Sequence, residues 1–356
     1  MDRLKETIEQ IEPLNGEAME AAQARQDTLT KPLRSLGVLE DISVRVAGIT
    51  GNYMPELKQK VILTMASDHG IVAEGVSAYP QEVTLQMVHN FINGGAGINV
   101  LARHIGARVV VVDMGVAADF AFTNKNKTEN FIDNKIAYGT ANMTQGAAMS
   151  YDAAKQSIES GIEVLENLLE NGVDIVGVGD MGIGNTTSSS AITAFITGEA
   201  VETVTGRGTG LDDAGLTRKI EQIKKALDIN KPDRGDAIDI LAKIGGFEIG
   251  GIAGAILAAA AHRIPVVVDG FIAGAAALIA YELSPRVKDY SIASHLSVEA
   301  GHRAILDYMG LAPLLNLDMR LGEGSGAALG MSIVDASCKI LREMATFEEA
   351  GVAGKE

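Results

Sequence analysis

Four groups of residues in this chain are placed to do chemistry. Aspartates close four apolar runs, Lys60 to Gly70, Arg108 to Gly115, Val173 to Gly182 and Ile264 to Gly270, and each is followed within two residues by glycine. Glu323 stands between Gly322 and Gly324 in the run Leu321 to Gly326. Glycine on both sides denies this glutamate local cover and lets a substrate come close. Met319 and Leu321 can desolvate it, which raises a carboxyl pKa and suits a general base. Gly184-Asn185-Thr186-Thr187 opens a helical stretch whose first N–H groups are free to cradle a monophosphate. An ordinary capped helix start is the plainer alternative, since Asn and Thr are favoured caps. A second glycine loop, Gly206 to Gly210, precedes a helix carrying Arg218 and Lys219, cations that either complete an anion site or sit solvated. Asp212 and Asp213 read as first-turn acids of that helix.

The elements that must position these groups follow from the same punctuation. Unbroken Val/Ile/Leu runs bounded by turn residues are the pattern of strands covered on both faces, and helical segments between them imply a parallel sheet. Ligands of such sheets bind beyond the strands' carboxyl ends, so Asp68, Asp113, Asp180 and Asp269 are expected along one rim. Helices are expected at Pro80 to His104, Ser150 to Glu170, Thr187 to Thr197, Leu216 to Asp228, Gly235 to Lys243, Ile249 to His262, Gly301 to Tyr308 and Ala327 to Met344. Both ends of the chain read as helical, with a break at Lys31-Pro32. The expected architecture is α/β: a mostly parallel open sheet flanked by helices, Rossmann-like, over residues 56–299. A small helical domain is expected from residues 1–55 and 300–356.

Composition narrows the function. A chain of 356 residues with 47% hydrophobic content can bury a large core. A formal charge of −16 with 4% aromatics and no tryptophan argues against a nucleic-acid partner. The longest apolar stretch, Ile249 to Ala261, falls short of the roughly 20 residues a membrane span needs. The opening MDRLKETIEQIEPL is a polar amphipathic helix rather than a secretory leader, and the lone Cys338 excludes a disulfide framework, so a cytoplasmic setting is expected.

Other motifs compete. Gly177 to Gly182 is formally G-x-G-x-x-G, which suggests a nicotinamide-dependent oxidoreductase. The acid that should bind ribose about 20 residues on is missing from a strand end, because Glu199 and Glu202 lie in a helix-to-loop region. A non-catalytic nucleotide sensor is the other alternative. His69 lacks a second histidine at ligand spacing, so no metal centre is expected. His295, between Ser294 and Ser297, orients a hydroxyl or caps a helix, and no nucleophile elbow accompanies it. Met87 and Phe91, at i and i+4, read as a helix's core face.

The motifs KPLRSLGVLE, SDHGIVAEGVSAYPQEVT, NGGAGINVLAR, GDMGIGNTTSSSAI, GGFEIGGIAGAIL, PVVVDGF, SHLSVEAG and LDMRLGEGSGAALG together resemble the nicotinate-nucleotide:dimethylbenzimidazole phosphoribosyltransferase family, in order and over nearly the whole chain. The resemblance implies transfer of phosphoribose from nicotinate mononucleotide to 5,6-dimethylbenzimidazole, with inversion, in the nucleotide-loop branch of cobalamin biosynthesis. It also implies a homodimer working without metal or organic cofactor. Glu323 matches the family's catalytic glutamate. By the same resemblance Gly182, Asn185, Thr186, Gly208, Lys219, Gly270 and Ser297 hold the phosphoribosyl group, and Tyr79, Met87, Met181 and Leu321 line the base slot. Two positions depart from the pattern. Asp180 replaces a glutamate that some members place near the ribosyl centre, and Met87 stands where some carry glutamine beside the base.

Overall fold

The computed structural model describes residues 2–120 and 130–353. Its centre is a six-stranded, wholly parallel sheet of β1 (Lys60–Ser67), β2 (Arg108–Gly115), β3 (Phe131–Asp133), β4 (Ile175–Met181), β5 (Val266–Val268) and β6 (Ser291–Ala293), in the order β3-β2-β1-β4-β5-β6. The order reverses between β1 and β4, the switch point beside which ligands of doubly wound sheets bind. The four apolar runs supply β1, β2, β4 and β5. The edge strands β3 and β6 are three residues each, too short for any periodicity to announce them.

The runs are continuous because both faces of each strand are covered. Val61, Leu63 and Met65 join one core cluster with Val110, Val112, Val176 and Val178, while Ile62, Ala66, Val109, Val111 and Ile175 join the other. Alternation sends successive side chains to opposite faces, and neither face meets water. Phe247–Ala261 covers the first face, with Tyr151–Leu169 packed against it, and Ser325–Glu343 covers the second. The two ends of the chain meet: Leu29 bridges to Thr346, and Arg25 Nε donates to the Leu341 carbonyl at 2.7 Å. Between the second and third helices of the chain, the loop at Lys31 is pinned by a buried ion pair from Lys31 Nζ to Glu40 Oε1 at 2.9 Å. The helix expected from Pro80 to His104 is two, Glu82–Ile92 and Gly97–Ile105, parted at Gly94-Gly95. No helix among the described residues is long and apolar enough to cross a membrane.

The crossing of Tyr151–Leu169 over Phe247–Ala261 brings backbone against backbone. A Cβ on Gly161 would overlap the Gly251 carbonyl, and one on Gly254 would overlap the Ile158 carbonyl. Neither neighbour is a side chain that can swing away. Gly161→Ala is therefore expected to cost about 1–3 kcal/mol through overpacking, more than alanine returns in helix propensity. A lower denaturant midpoint checks this; a midpoint equal to or above wild type would contradict it.

Candidate active site

The rim of the sheet is where the chain's glycines bring distant loops together. Gly179, inside β4, lies so close to the Glu323-Gly324 backbone that a Cβ would overlap Gly324 N, and a Cβ on Gly177 would crowd Ala327 and Met331 at 3.1 and 3.0 Å. The spacing that resembles a dinucleotide fingerprint thus serves to seat the loop and helix that carry Glu323. After β4, Gly184 takes φ +96° and turns the chain into the helix Asn185–Thr197.

A cavity of about 320 Å³ opens beyond the ends of β4, β5 and β6. Tyr79, Asp180, Met181, Gly182, Asn185, Thr186, Gly208, Gly270, Ser297 and Leu321 line it, all named from the sequence. Lys219 stands directly behind the lining, its ammonium donating to Thr186 Oγ1 (2.8 Å) and the Gly206 carbonyl (3.3 Å). Its neighbour Arg218 turns away and donates to the Gly75 carbonyl at 3.3 Å. Glu323 follows the lining residue Gly322. Met87 is half-buried against the cluster that holds Val88 and Phe91, on which the cavity-lining Met181 also packs.

Residues not singled out as ligands also line the cavity: Thr209, Phe271, His295, Glu299 and Arg320. Arg320 sits within LDMRLGEG and donates to the Gly208 carbonyl at 2.9 Å, tying the second glycine loop to the segment that leads into Glu323. Glu299 belongs to SHLSVEAG. It is 8% exposed, and its Oε2 has no hydrogen-bond partner among the described residues. His295, the histidine weighed as a hydroxyl's partner, has Nδ1 3.0 Å from Ser294 Oγ.

One end of the cavity favours anions. The N-terminus of helix Asn185–Thr197, the Lys219 ammonium and the Arg320 guanidinium converge near Thr186 and Gly208. Burial pulls the Lys219 pKa down to about 8, with the Glu299 charge opposing the fall. Below that pH the lysine is already ammonium, so an anion binds it without proton uptake. Above it, binding must first draw in a proton. Once the ligand's phosphate is fully ionised, above about pH 7, its apparent affinity is therefore expected to weaken as pH rises past about 8. KM measured against pH checks this, and a KM unchanged to pH 9 would contradict it.

Buried carboxyls stand close to this cradle. Asp180, at the end of β4, accepts the Asn185 amide on Oδ2 at 2.8 Å. Burial, then the charges of Asp269 and Glu248, push its pKa well above the ordinary value. His69 lies beneath the glycine turn, with Nε2 2.7 Å from Glu248 Oε1 and Nδ1 3.2 Å from Ser188 Oγ, both ring nitrogens engaged within the protein.

Glu323 occupies the left-handed region at φ +66°, between Gly322 (+79°) and Gly324 (+92°). That conformation costs a non-glycine residue about 1–2 kcal/mol, and strain of this kind concentrates at functional positions. Its Oε2 accepts the Ile98 N–H at 3.0 Å, at the start of helix Gly97–Ile105, and Leu321 lies beside Gly97. Burial raises its pKa while the Ile98 N–H opposes the shift. Among the described residues no hydrogen bond engages Oε1. A desolvated carboxylate with one oxygen anchored and one free has the form of a general base.

Comparison with known proteins agrees with this geometry. A phosphoribosyltransferase family model matches residues 11–352. The nicotinate-nucleotide–dimethylbenzimidazole phosphoribosyltransferase of Roseiflexus sp. (strain RS-1) is 59% identical over 355 residues, covering 100% of this chain and 99% of its own length. The protein of the same name from Desulforudis audaxviator is 59% identical over 353 residues, 99% of each chain. A crystal structure of CobT from Thermus thermophilus superposes with a TM-score of 0.90 at 43% identity, over 95% of this chain and 100% of that one. Matched at this identity and along nearly its whole length, the chain belongs to the nicotinate-nucleotide–dimethylbenzimidazole phosphoribosyltransferases.

Proposed function

We propose that the enzyme transfers the 5-phosphoribosyl group of nicotinate mononucleotide to 5,6-dimethylbenzimidazole or a closely related base, giving α-ribazole 5′-phosphate and nicotinate. The observation that carries this reading is one cavity that runs from the cationic cradle at Thr186, Gly208 and Lys219 to Leu321, next to which Glu323 is held. In it the phosphate sits at the N-terminus of the Asn185–Thr197 helix, with Gly182, Gly270 and Ser297 along the ribose and Lys219 supplying charge. Tyr79, Met181 and Leu321 flank the planar base.

The chemistry asks little beyond this. Nicotinate leaves as a neutral pyridine nitrogen, so no general acid is required. The benzimidazole must lose its N–H proton as its other nitrogen bonds to the anomeric carbon, and Glu323 takes that proton. Asp180 faces the ribosyl centre. Its burial favours the neutral form, and the positive pyridinium nitrogen at the bound nucleotide's ribosyl centre favours the carboxylate.

Direct displacement inverts the anomeric carbon. Starting from the β-nucleotide, the product riboside is expected to be wholly α by NMR coupling and nuclear Overhauser contacts. A β-riboside would contradict a single displacement. The active form is a homodimer in the cytoplasm; light scattering is expected to give twice the 37.3 kDa chain mass, and a monomer mass at micromolar concentration would contradict it.

A further inference from the structure

Asp269, at the end of β5, is almost wholly buried, and both of its carboxylate oxygens serve the backbone of another element. Oδ2 accepts the Gly324 N–H at 2.9 Å, and Oδ1 accepts the N–H groups of Gly326 at 2.7 Å and Ala327 at 3.2 Å. The helix Ser325–Glu343 begins behind Gly324, which has no side chain to cap it, so Asp269 satisfies its first orphan donors from across the sheet.

The Gly324 amide is the peptide immediately after Glu323. The same residue is held on its other side by its N–H donating to the Asp180 carbonyl at 3.2 Å, and Thr64 Oγ1 donates to its carbonyl at 2.8 Å. Three strands, β1, β4 and β5, therefore grip one left-handed peptide segment, and only the grip from β5 is a charged one. Charge-assisted hydrogen bonds to N–H groups at a helix N-terminus are the strong kind.

We propose that Asp269 is the positioning residue for Glu323: its carboxylate fixes the Gly322–Gly324 segment so that the glutamate stays against Ile98 and beside Leu321. This rests on Glu323 being the base. The titratable groups facing Asp269 are Glu323 from the loop, Asp180 from β4, which Glu248 also faces, and His295 after β6, whose Nδ1 is 3.9 Å from Oδ1. Burial raises Asp269 to about 7 against the pull of its three N–H donors, and burial lowers His295, so the histidine offers little compensating charge at neutral pH.

Asp269→Asn tests the assignment. Asparagine keeps an oxygen for Gly326 and Ala327 but turns an NH₂ toward the Gly324 N–H, and it removes a negative charge beside Glu323. With nicotinate mononucleotide and dimethylbenzimidazole, kcat is expected to fall about 10- to 100-fold while KM for the nucleotide stays within about threefold. The acid limb of the kcat/KM profile is expected to move to lower pH, because Glu323 loses a neighbouring charge that disfavours its ionised form. A loss of folded protein alone would move neither KM nor the limb. In a Glu323→Gln background the same change is expected to cost less than about threefold, since the residue it positions no longer acts.

An unmoved acid limb, or a full loss repeated in the Glu323→Gln background, would overturn the proposal. If Asp269→Asn does not fold, wild type carries the test. The Gly324 and Gly326 amides should be protected from exchange and should lose protection in step with turnover as pH falls, and protection independent of turnover would overturn it. Full turnover in Glu323→Gln alone would instead remove the base reading, an outcome distinct from any failure of Asp269.

Discussion

Glu323→Gln lowers turnover by about 10²- to 10⁴-fold, the worth of a positioned general base, while KM for nicotinate mononucleotide changes by less than about threefold. Glutamine is the right probe because its oxygen can still accept the Ile98 N–H, which Glu323 Oε2 accepts at 3.0 Å, so the loop keeps its anchor. Alanine would leave that donor unpaired and mix a folding cost into the kinetics. The residual activity should grow as acceptor bases with more acidic N–H groups are supplied, since these depend least on help with the proton. Turnover near wild type at saturating substrates would take the base role away from Glu323.

Lys219→Met has the opposite signature. Methionine fills the same buried path without the charge, so packing around Thr186 is kept. A charge-assisted hydrogen bond is worth about 1.5–3 kcal/mol, which corresponds to a KM for nicotinate mononucleotide raised roughly 10- to 100-fold. Turnover at saturation should change little, because a phosphate contact is made equally in the ground and transition states. The rise of KM above pH 8 should vanish in the same variant, since the group pulled down to about 8 has gone. A large fall in kcat at unchanged KM, or a basic limb that persists, would contradict a phosphate-binding Lys219.

How much of this is legible in the sequence depends on the length of the signal. β1, β2 and β4 announce themselves because seven- or eight-residue strands with apolar residues at successive positions have no explanation except two buried faces. β3 and β6 give no such signal at three residues each, and pairing alone makes them strands. The break at Gly94-Gly95 is hidden because the apolar spacing resumes at Ile98 in a register close to the one it left.

Glu323 stands out because glycine on both sides of a glutamate is costly unless the backbone must turn left-handed there. The glycines of Gly177 to Gly182 are legible as a motif but ambiguous in purpose. Which element presses against Gly179 is a tertiary fact that no local pattern carries. Arg320, Glu299 and His295 reach the cavity for the same kind of reason: the order of β4, β5 and β6 brings their loops to one rim, while each alone looks like an ordinary surface residue. The helical spacing of Met87 and Phe91 is legible as a shared face, and both pack on the sheet-facing cluster.

The most direct measurement mixes the purified protein with nicotinate mononucleotide and 5,6-dimethylbenzimidazole in the presence of chelator, and follows nicotinate and riboside phosphate by chromatography and mass. The expected result is nicotinate released only when the base is present, one for each α-riboside 5′-phosphate formed, at a rate the chelator does not change. Nucleotide binding without base-dependent nicotinate release would contradict the proposed transfer.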